Sequence, residues 1–210
     1  MEKYSVAVIG HGPSIVGKQL GKYIDKCNIV IRMIECDWQN EVDYGTKYNI
    51  GIYATGGSEE YLRMTERIPS LCWWEYDAKG TKAPIDAHEP DVFIKKVRTK
   101  IVRLLRSSIW AYVEEGKKKF SRGTAAAIVA MQLFTPSHLY LVGFDDVARG
   151  SMKEGEWHPA ELRQYLIDNK KSPGRSLNSH DWVNEKKVIS VVAFKHKVEV
   201  IFPHDEADFR

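Results

Sequence analysis

The chain has 210 residues, of which 43% are hydrophobic and 28% charged, so it is long and apolar enough to form one domain with a real core. Its formal net charge of only +3 does not by itself indicate a strongly acidic or basic partner. No apolar run is long enough to span a bilayer, the first residues lack the pattern of a cleavable signal, and the three cysteines lack metal-type spacing. We therefore expect a cytoplasmic protein with free thiols and no transmembrane segment.

Predicted strands and helices alternate along the chain. Apolar runs predict strands at residues 4–10, 28–34, 48–55, 70–77, 138–145 and 197–203. Amphipathic or buried helices are predicted at residues 14–26, 57–68, 91–106, 107–119, 123–134 and 180–195. This alternation predicts an α/β fold, a Rossmann-like three-layer sandwich with a mostly parallel sheet, in a single domain over residues 1–210. The polar segment 147–178 is expected to be a flexible lid.

Basic residues are concentrated in the predicted helix 91–106. Its sequence, DVFIKKVRTKIVRLLR, has six basic residues and only Asp91 is acidic. Such a face is either simply solvated or binds a phosphate-rich partner, such as nucleic acid, or an anionic surface. Lys95, Lys96 and Arg98 are therefore candidate acceptor-binding residues.

A glycine-rich turn follows the first predicted strand and has the sequence GHGPS. Gly10 and Gly12 allow close backbone approach, Pro13 fixes the turn, and Ser14 is placed to cap the following helix. The free N–H groups of such a turn suit a phosphate, although a plain strand-to-helix turn explains the same residues. The dinucleotide fingerprint is excluded, because Ile15 stands where that motif needs Gly or Ala.

Three further features predict a site at the same edge of the sheet. Arg32 near the end of the second strand either pairs with an acid such as Asp43 or faces a ligand. Small residues and Arg122 open a nearly uncharged helix, where the helix dipole favours an anion. His180 begins a helix after the polar segment; it is either structural or accepts a proton from a hydroxyl group.

The order of these motifs resembles that of the CMP-sialic-acid-dependent sialyltransferases, and their bacterial branch is nearest. In that family, a turn after strand one binds the nucleotide, and a Ser/Thr-Ser/Thr-Gly stretch opening a buried helix contacts the donor. A strand ending Gly-x-Asp follows, and a histidine after a lid is proposed as general base. These blocks correspond to Gly10–Ser14, Ser121–Gly123, Gly143–Asp145 and His180. The resemblance implies an inverting, metal-independent enzyme, with Asp145 at a strand end; a metal-binding role for Asp145 and Asp146 is the alternative.

Several positions depart from the family pattern, which predicts a divergent donor site. His11 replaces an Asn in the first turn, Ile34 replaces an Asn after Arg32, Ala54 or Thr55 replaces another, and Arg122 replaces a hydroxyl residue. The predicted donor-binding residues share the carboxyl edge of the sheet or the start of the buried helix: Gly10, His11, Gly12, Pro13, Ser14, Arg32, Thr55, Ser121, Arg122, Gly123 and Asp145.

The resemblance implies a glycosyltransferase in which His180 is the general base. The donor is a nucleotide sugar, CMP-linked or otherwise, bound as a substrate rather than as a tightly held cofactor. The acceptor is a hydroxyl group, either on a hydroxylated DNA base, for example of a virus, or on a glycolipid. The alternative is a non-catalytic module that binds a nucleotide or a nucleic acid.

Overall fold

The computed structural model describes residues 4–10, 12–33, 40–53, 71–76, 100–105, 120–150 and 180–209. For residues 53, 71–76 and 100–105, the description covers the backbone alone.

Seven strands in the described part of the chain form one sheet, and every neighbouring pair among them is parallel. The spatial order is β5-β4-β3-β2-β1-β6-β7. The strands are β1 (Ser5–Ile9), β2 (Ile29–Met33), β3 (Ile50–Tyr53), β4 (Leu71–Tyr76), β5 (Lys100–Leu105), β6 (His138–Val142) and β7 (Glu199–Ile201). The predicted α/β, Rossmann-like class is therefore confirmed. Parallel strands need covered faces, which explains why β1, β2 and β6 are almost continuously apolar.

Successive strands are added on one side of β1 and then on the other. From β1 the chain adds β2 to β5 on one side, and it then returns to place β6 and β7 on the other. Ile9 is paired with Val142, so β1 and β6 end at the same level. In open parallel sheets, ligands bind beyond the carboxyl ends of two such strands, where their connections diverge. The turn after β1 and the turn after β6 both lie at this point.

Five α-helices occur in the described residues, together with two short 3-10 helices at Pro13–Ile15 and Glu206–Asp208. The α-helices are α1 (Gly21–Ile24), α2 (Glu41–Tyr44), α3 (Arg122–Phe134), α4 (Asp145–Arg149) and α5 (Trp182–His196). Helix α3 packs against β1, β2 and β6, while α5 packs against α3, α4 and β7. Three alanines of α3, Ala126, Ala127 and Ala130, are buried. None of the described helices is long and apolar enough to cross a membrane.

The prediction of one helix over residues 14–26 is wrong. The chain forms the 3-10 helix Pro13–Ile15, turns through Gly17 at φ +77° and Gln19 at φ +54°, and resumes a helix only at Gly21–Ile24. The N–H groups of Gly17 and Gln19 donate to the carboxylate of buried Asp43, at 2.6 and 2.7 Å. These bonds replace the intrahelical bonds that the periodicity predicted.

The prediction of a basic helix at residues 91–106 is also wrong where the structure describes it. Residues Lys100–Leu105 form β5, which pairs in parallel with the whole of β4. A short apolar run such as KIVRLL suits either a helix or a strand, and the adjacent β4 supplies the hydrogen bonds that decide between them. The candidate acceptor-binding residues Lys95, Lys96 and Arg98 lie outside the described residues, as do the predicted helices at 57–68 and 107–119.

The segment predicted to be a lid begins inside an ordered helix. Residues 147–149 complete α4, and Val147 is buried. The rest of that prediction, residues 151–178, lies outside the described part of the chain.

Candidate functional site

The turn after β1 is packed directly against the turn after β6. The Gly10 N–H donates to the carbonyl of Val142, and the Gly12 N–H donates to the carbonyl of Gly143, both at 2.8 Å. A Cβ atom on Gly12 would lie 2.5 Å from Cγ of Asp145, which is too close for any side chain. Glycine is therefore required at position 12 because Asp145 fills the space beside it.

Asp145 holds the first turn in place through its carboxylate. Its Oδ2 atom accepts a hydrogen bond from the Ser14 N–H at 3.0 Å. The prediction that the amides of this turn are free for a phosphate is thus wrong for Gly10, Gly12 and Ser14. Ser14 also lies within the 3-10 helix, whose N-cap is Gly12, so its predicted capping role is wrong too.

The two adjacent acids after β6 have separate partners. While Asp145 binds Ser14, Asp146 pairs with Arg149 at 3.0 Å on the surface of α4. Within the described ranges, no group of three or more His, Cys, Asp or Glu side chains could hold a metal ion.

The start of α3 packs against the turn after β6 through Gly123. A Cβ atom on Gly123 would lie 3.0 Å from the ring of Phe144, which directly precedes Asp145. Ser121 is the N-cap of α3, and its Oγ accepts the Thr124 N–H at 3.2 Å. The structure therefore brings together three of the predicted blocks, Gly10–Ser14, Ser121–Gly123 and Gly143–Asp145.

The carboxylate of a buried glutamate on α5 accepts hydrogen bonds from residues at the start of α3. Glu185 is only 1% exposed. Its Oε1 accepts the Ser121 N–H at 2.8 Å, and its Oε2 accepts the Ser121 hydroxyl at 2.6 Å and also the Thr124 hydroxyl. The positive end of the α3 dipole thus faces a protein carboxylate at the place where we predicted a bound anion.

The sequence analysis missed Glu185, although a signal for it was present. Glu185 is separated by three, four and seven residues from Val188, Ile189 and Val192, all of which are buried. This spacing places the acid on the apolar face of α5, where an acid needs hydrogen-bond partners.

His180 lies close to the carboxylate of Glu185. Its Nδ1 atom is 3.4 Å from Oε1 of Glu185, and its side chain is 6% exposed. Its ring lies 4.9 Å from the ring of Trp182, measured between centroids. Glu185 therefore links the predicted general base to the predicted donor-binding stretch at the start of α3.

Two crystal structures of a mammalian sialyltransferase share this architecture. The TM-score is 0.56 for one and 0.55 for the other, which holds Gal-beta-1-3GalNAc-ortho-nitrophenol. Each comparison covers 96% of this chain and 70% of the mammalian chain, at 16% sequence identity. The chain has a sialyltransferase-like fold. No family model matches the sequence, and no curated relative does either.

Within this sialyltransferase-like fold, Arg32 is a fully buried part of β2. Its Nε donates to the carbonyl of Lys47 at 2.8 Å, and its Nη2 donates to the carbonyl of Tyr44 at 2.6 Å. The carboxylate of Asp43 accepts the amide of Asn40 at 2.6 Å in addition to the Gly17 and Gln19 N–H groups. These contacts favour the structural role of Arg32 over the ligand-facing role, with carbonyl groups as its described partners. His11 and Thr55 lie outside the described residues.

Proposed function

We propose that the chain is a glycosyltransferase that moves a sugar from a nucleotide-sugar donor to a hydroxyl acceptor. The observation that carries the proposal is the His180–Glu185 pair, buried beside the start of α3 in a sialyltransferase-like fold. A carboxylate beside one ring nitrogen holds a histidine in a fixed orientation, which is the arrangement a general base needs.

In the proposed reaction, His180 accepts the proton of the acceptor hydroxyl at Nε2, because Nδ1 faces Glu185. The acceptor oxygen forms a bond to the anomeric carbon as the bond from that carbon to the donor phosphate oxygen breaks. The electron pair of the broken bond leaves on the nucleotide phosphate. Attack from the side opposite the leaving group inverts the anomeric configuration, and no step of this proposal uses a metal ion.

The proposed phosphate contacts are Arg122 and the Gly123 N–H, in the first turn of α3. Glu185 engages Ser121 and Thr124, and Arg122 and Gly123 lie between these two residues in the chain. Negative charge that develops on the leaving phosphate is stabilised at a helix N-terminus. The positive charge of Arg122 would offset the repulsion between the phosphate and Glu185.

The remaining donor site is proposed along the turn after β1 and the ends of β1–β3. Gly10, Gly12 and Pro13 would shape the surface under the nucleotide rather than donate amides to it, since those of Gly10 and Gly12 are already used. Asp145 would fix this surface through Ser14. His11 and Thr55 are proposed to contact the donor because they replace the family's asparagines.

The acceptor is proposed to be a hydroxyl group of a modified DNA base or of a glycolipid. Lys95, Lys96 and Arg98 would bind its phosphates in either case. Competition between hydroxymethylated duplex DNA and glycolipid-containing vesicles in a transfer assay distinguishes the two.

The test is the substitution His180→Ala, with His138→Ala as a matched control. Both histidines are buried, but His138 lies at the opposite, amino-terminal end of β6. Loss of a general base is expected to lower sugar transfer by about 10²- to 10⁴-fold. We expect nucleotide binding by His180→Ala to stay near the wild-type level, and His138→Ala to keep transfer activity per folded molecule.

The donor is identified first, by thermal shift with CMP, CDP, UMP, UDP and GDP. Stabilisation by one nucleotide, followed by its release from the matching sugar donor when an acceptor is added, supports the enzyme. No shift with any nucleotide would contradict the proposal. A shift without transfer to either acceptor class, and without an effect of His180→Ala, would instead indicate the non-catalytic module.

A further inference from the structure

Helix α5 carries an exposed apolar stripe on the side opposite its buried face. Val183, Val191 and Phe194 are 67%, 53% and 89% exposed. Together with Lys187 they recur at spacings of four, four and three residues, which places all four on one side of the helix. We call these four residues the outer face of α5.

The exposed charged residues of α5 itself are all positive. The exposed charged residues of α5 are Lys186, Lys187 and Lys195, and the exposed C-cap Lys197 adds a fourth. The acid of this helix, Glu185, is buried on the opposite side. Helical geometry puts Lys186 and Lys195 on the two flanks of the stripe.

We propose that the outer face of α5 binds an anionic phospholipid surface. Valine and phenylalanine side chains gain free energy by entering the boundary between headgroups and acyl chains, while flanking lysines approach the lipid phosphates. Lysine stems add apolar contact while their ammonium groups stay at headgroup level. Apolar side chains bordered by cations on both flanks are the pattern this surface requires.

Charge complementarity separates this partner from two others. A second copy of the chain, packed face to face on α5, would bring like-charged lysines together, which is unfavourable. Nucleic acid would also attract the lysines, but of the three apolar side chains only Phe194 offers a ring on which a base can stack. A lipid surface satisfies both the lysines and the aliphatic side chains.

The proposed orientation also places the candidate site near the lipid. The outer face runs from Val183 to Phe194, eleven rises of 1.5 Å or about 16 Å, and would lie along the surface. His180 and Glu185 are at the amino-terminal end of the same helix. The binding proposal itself does not require that the site be catalytic, so it stands or falls separately from the proposed function.

The experiment is flotation of the full chain with vesicles of phosphatidylcholine alone or of equimolar phosphatidylcholine and phosphatidylglycerol. Wild type is expected to bind the anionic vesicles at least about tenfold more tightly than the neutral ones, and less tightly as salt is raised. Phe194→Ser with Val191→Ser, and separately Lys187→Glu with Lys195→Glu, should each weaken binding by at least about tenfold.

Two control variants change similar side chains elsewhere. Val42→Ser removes a valine that is 63% exposed on α2, and Lys18→Glu reverses an exposed lysine in the turn before α1. Both should bind vesicles within about twofold of wild type. Absence of wild-type binding to anionic vesicles, or equal losses in the controls, would overturn the proposal.

Two other results would also overturn it, each by indicating a different partner. Salt-sensitive binding to duplex DNA without binding to vesicles would assign the face to nucleic acid. A concentration-dependent dimer that Phe194→Ser abolishes, seen by sedimentation without lipid, would assign it to a second copy.

Discussion

At the scale of single residues, Glu185 connects the start of α3 to His180. Its carboxylate satisfies one amide and two hydroxyl groups at the start of α3, and it faces the ring of His180. A buried acid of this kind is stabilised by these hydrogen bonds and by the positive end of the α3 dipole. The same residue therefore supports the fold and, under the proposed function, the general base.

We predict that Glu185→Gln destabilises the protein by about 1–3 kcal/mol, because one carboxylate oxygen becomes an NH₂ group that faces donors. Glu199→Gln is the matched control, since the Glu199 side chain is 57% exposed. It should change the free energy of unfolding by less than about 1 kcal/mol. Urea unfolding of both variants measures the difference, and equal small losses would contradict the role of Glu185.

At the scale of elements, Arg32 ties β2 to the segment that links α2 to β3. Its guanidinium donates to the carbonyls of Tyr44 and Lys47, on either side of Gly45 and Thr46. Asp43 and Asp25 fix neighbouring turns in a similar way, since Asp25 accepts N–H bonds from Thr46 and Lys47. Buried side chains thus shape the α2–β3 connection where regular backbone bonding stops.

We predict that Arg32→Met lowers the free energy of unfolding by about 2–4 kcal/mol, because two buried carbonyls lose charged donors. Arg149→Met is the control, since its surface pair with Asp146 should contribute at most about 1 kcal/mol. Chemical unfolding monitored by circular dichroism compares the two. If Arg32→Met instead kept wild-type stability and lost nucleotide binding, the ligand-facing role would be the correct one.

At the scale of the whole molecule, the sheet order decides where a site can form. The turns after β1 and β6 meet because these strands are adjacent and parallel, so both end at the same edge of the sheet. Helices α3 and α5, which begin at Arg122 and Trp182, then bring their amino-terminal ends to that place. The segments Gly10–Ser14, Ser121–Thr124 and His180–Glu185 become one region only through this topology.

At alkaline pH, the free energy of unfolding should also depend on the ionisation of the Cys27 thiol. Burial raises the pKa of the Cys27 thiol to about 11. An unfolded thiol ionises near pH 8.5, so the folded state holds its proton longer. The stabilisation is complete below about pH 8.5 and is lost as pH rises from there through about 11.

We therefore predict that the unfolding free energy of wild type falls, relative to that of Cys27→Ala, by about 1–2 kcal/mol between neutral pH and about pH 10. Subtracting the unfolding free energy of the variant cancels the contributions of the tyrosines and lysines that titrate in the same pH range. Urea unfolding across this range measures it. A difference that is constant with pH would contradict a buried, protonated thiol.

Much of the fold follows from local sequence patterns. The apolar runs at 4–10, 28–34 and 138–145 predict β1, β2 and β6, and the small, uncharged run at 123–134 predicts α3, because each run is long enough to bury a continuous face. The glycine turn after β1 and the histidine just before α5 can likewise be identified from the sequence alone. Three of the predicted site blocks, Gly10–Ser14, Ser121–Gly123 and Gly143–Asp145, lie together in the structure, and their binding roles stay a prediction.

The partners of these residues were not predictable in the same way. KIVRLL becomes a strand because β4 lies beside it, and residues 14–26 leave the helical path because Asp43, from a distant segment, accepts their amides. Glu185 takes the place that we predicted for a bound anion, and Asp145 takes the amide of Ser14.

The sequence by itself determined the α/β class, most strands, the two long helices and the residues that gather at the carboxyl edge of the sheet. Only the tertiary structure decided which of their polar groups bind one another. The reason is physical: hydrophobic periodicity is a local property of the chain, whereas a buried donor or acceptor must be satisfied by whatever group the fold brings within about 3 Å of it.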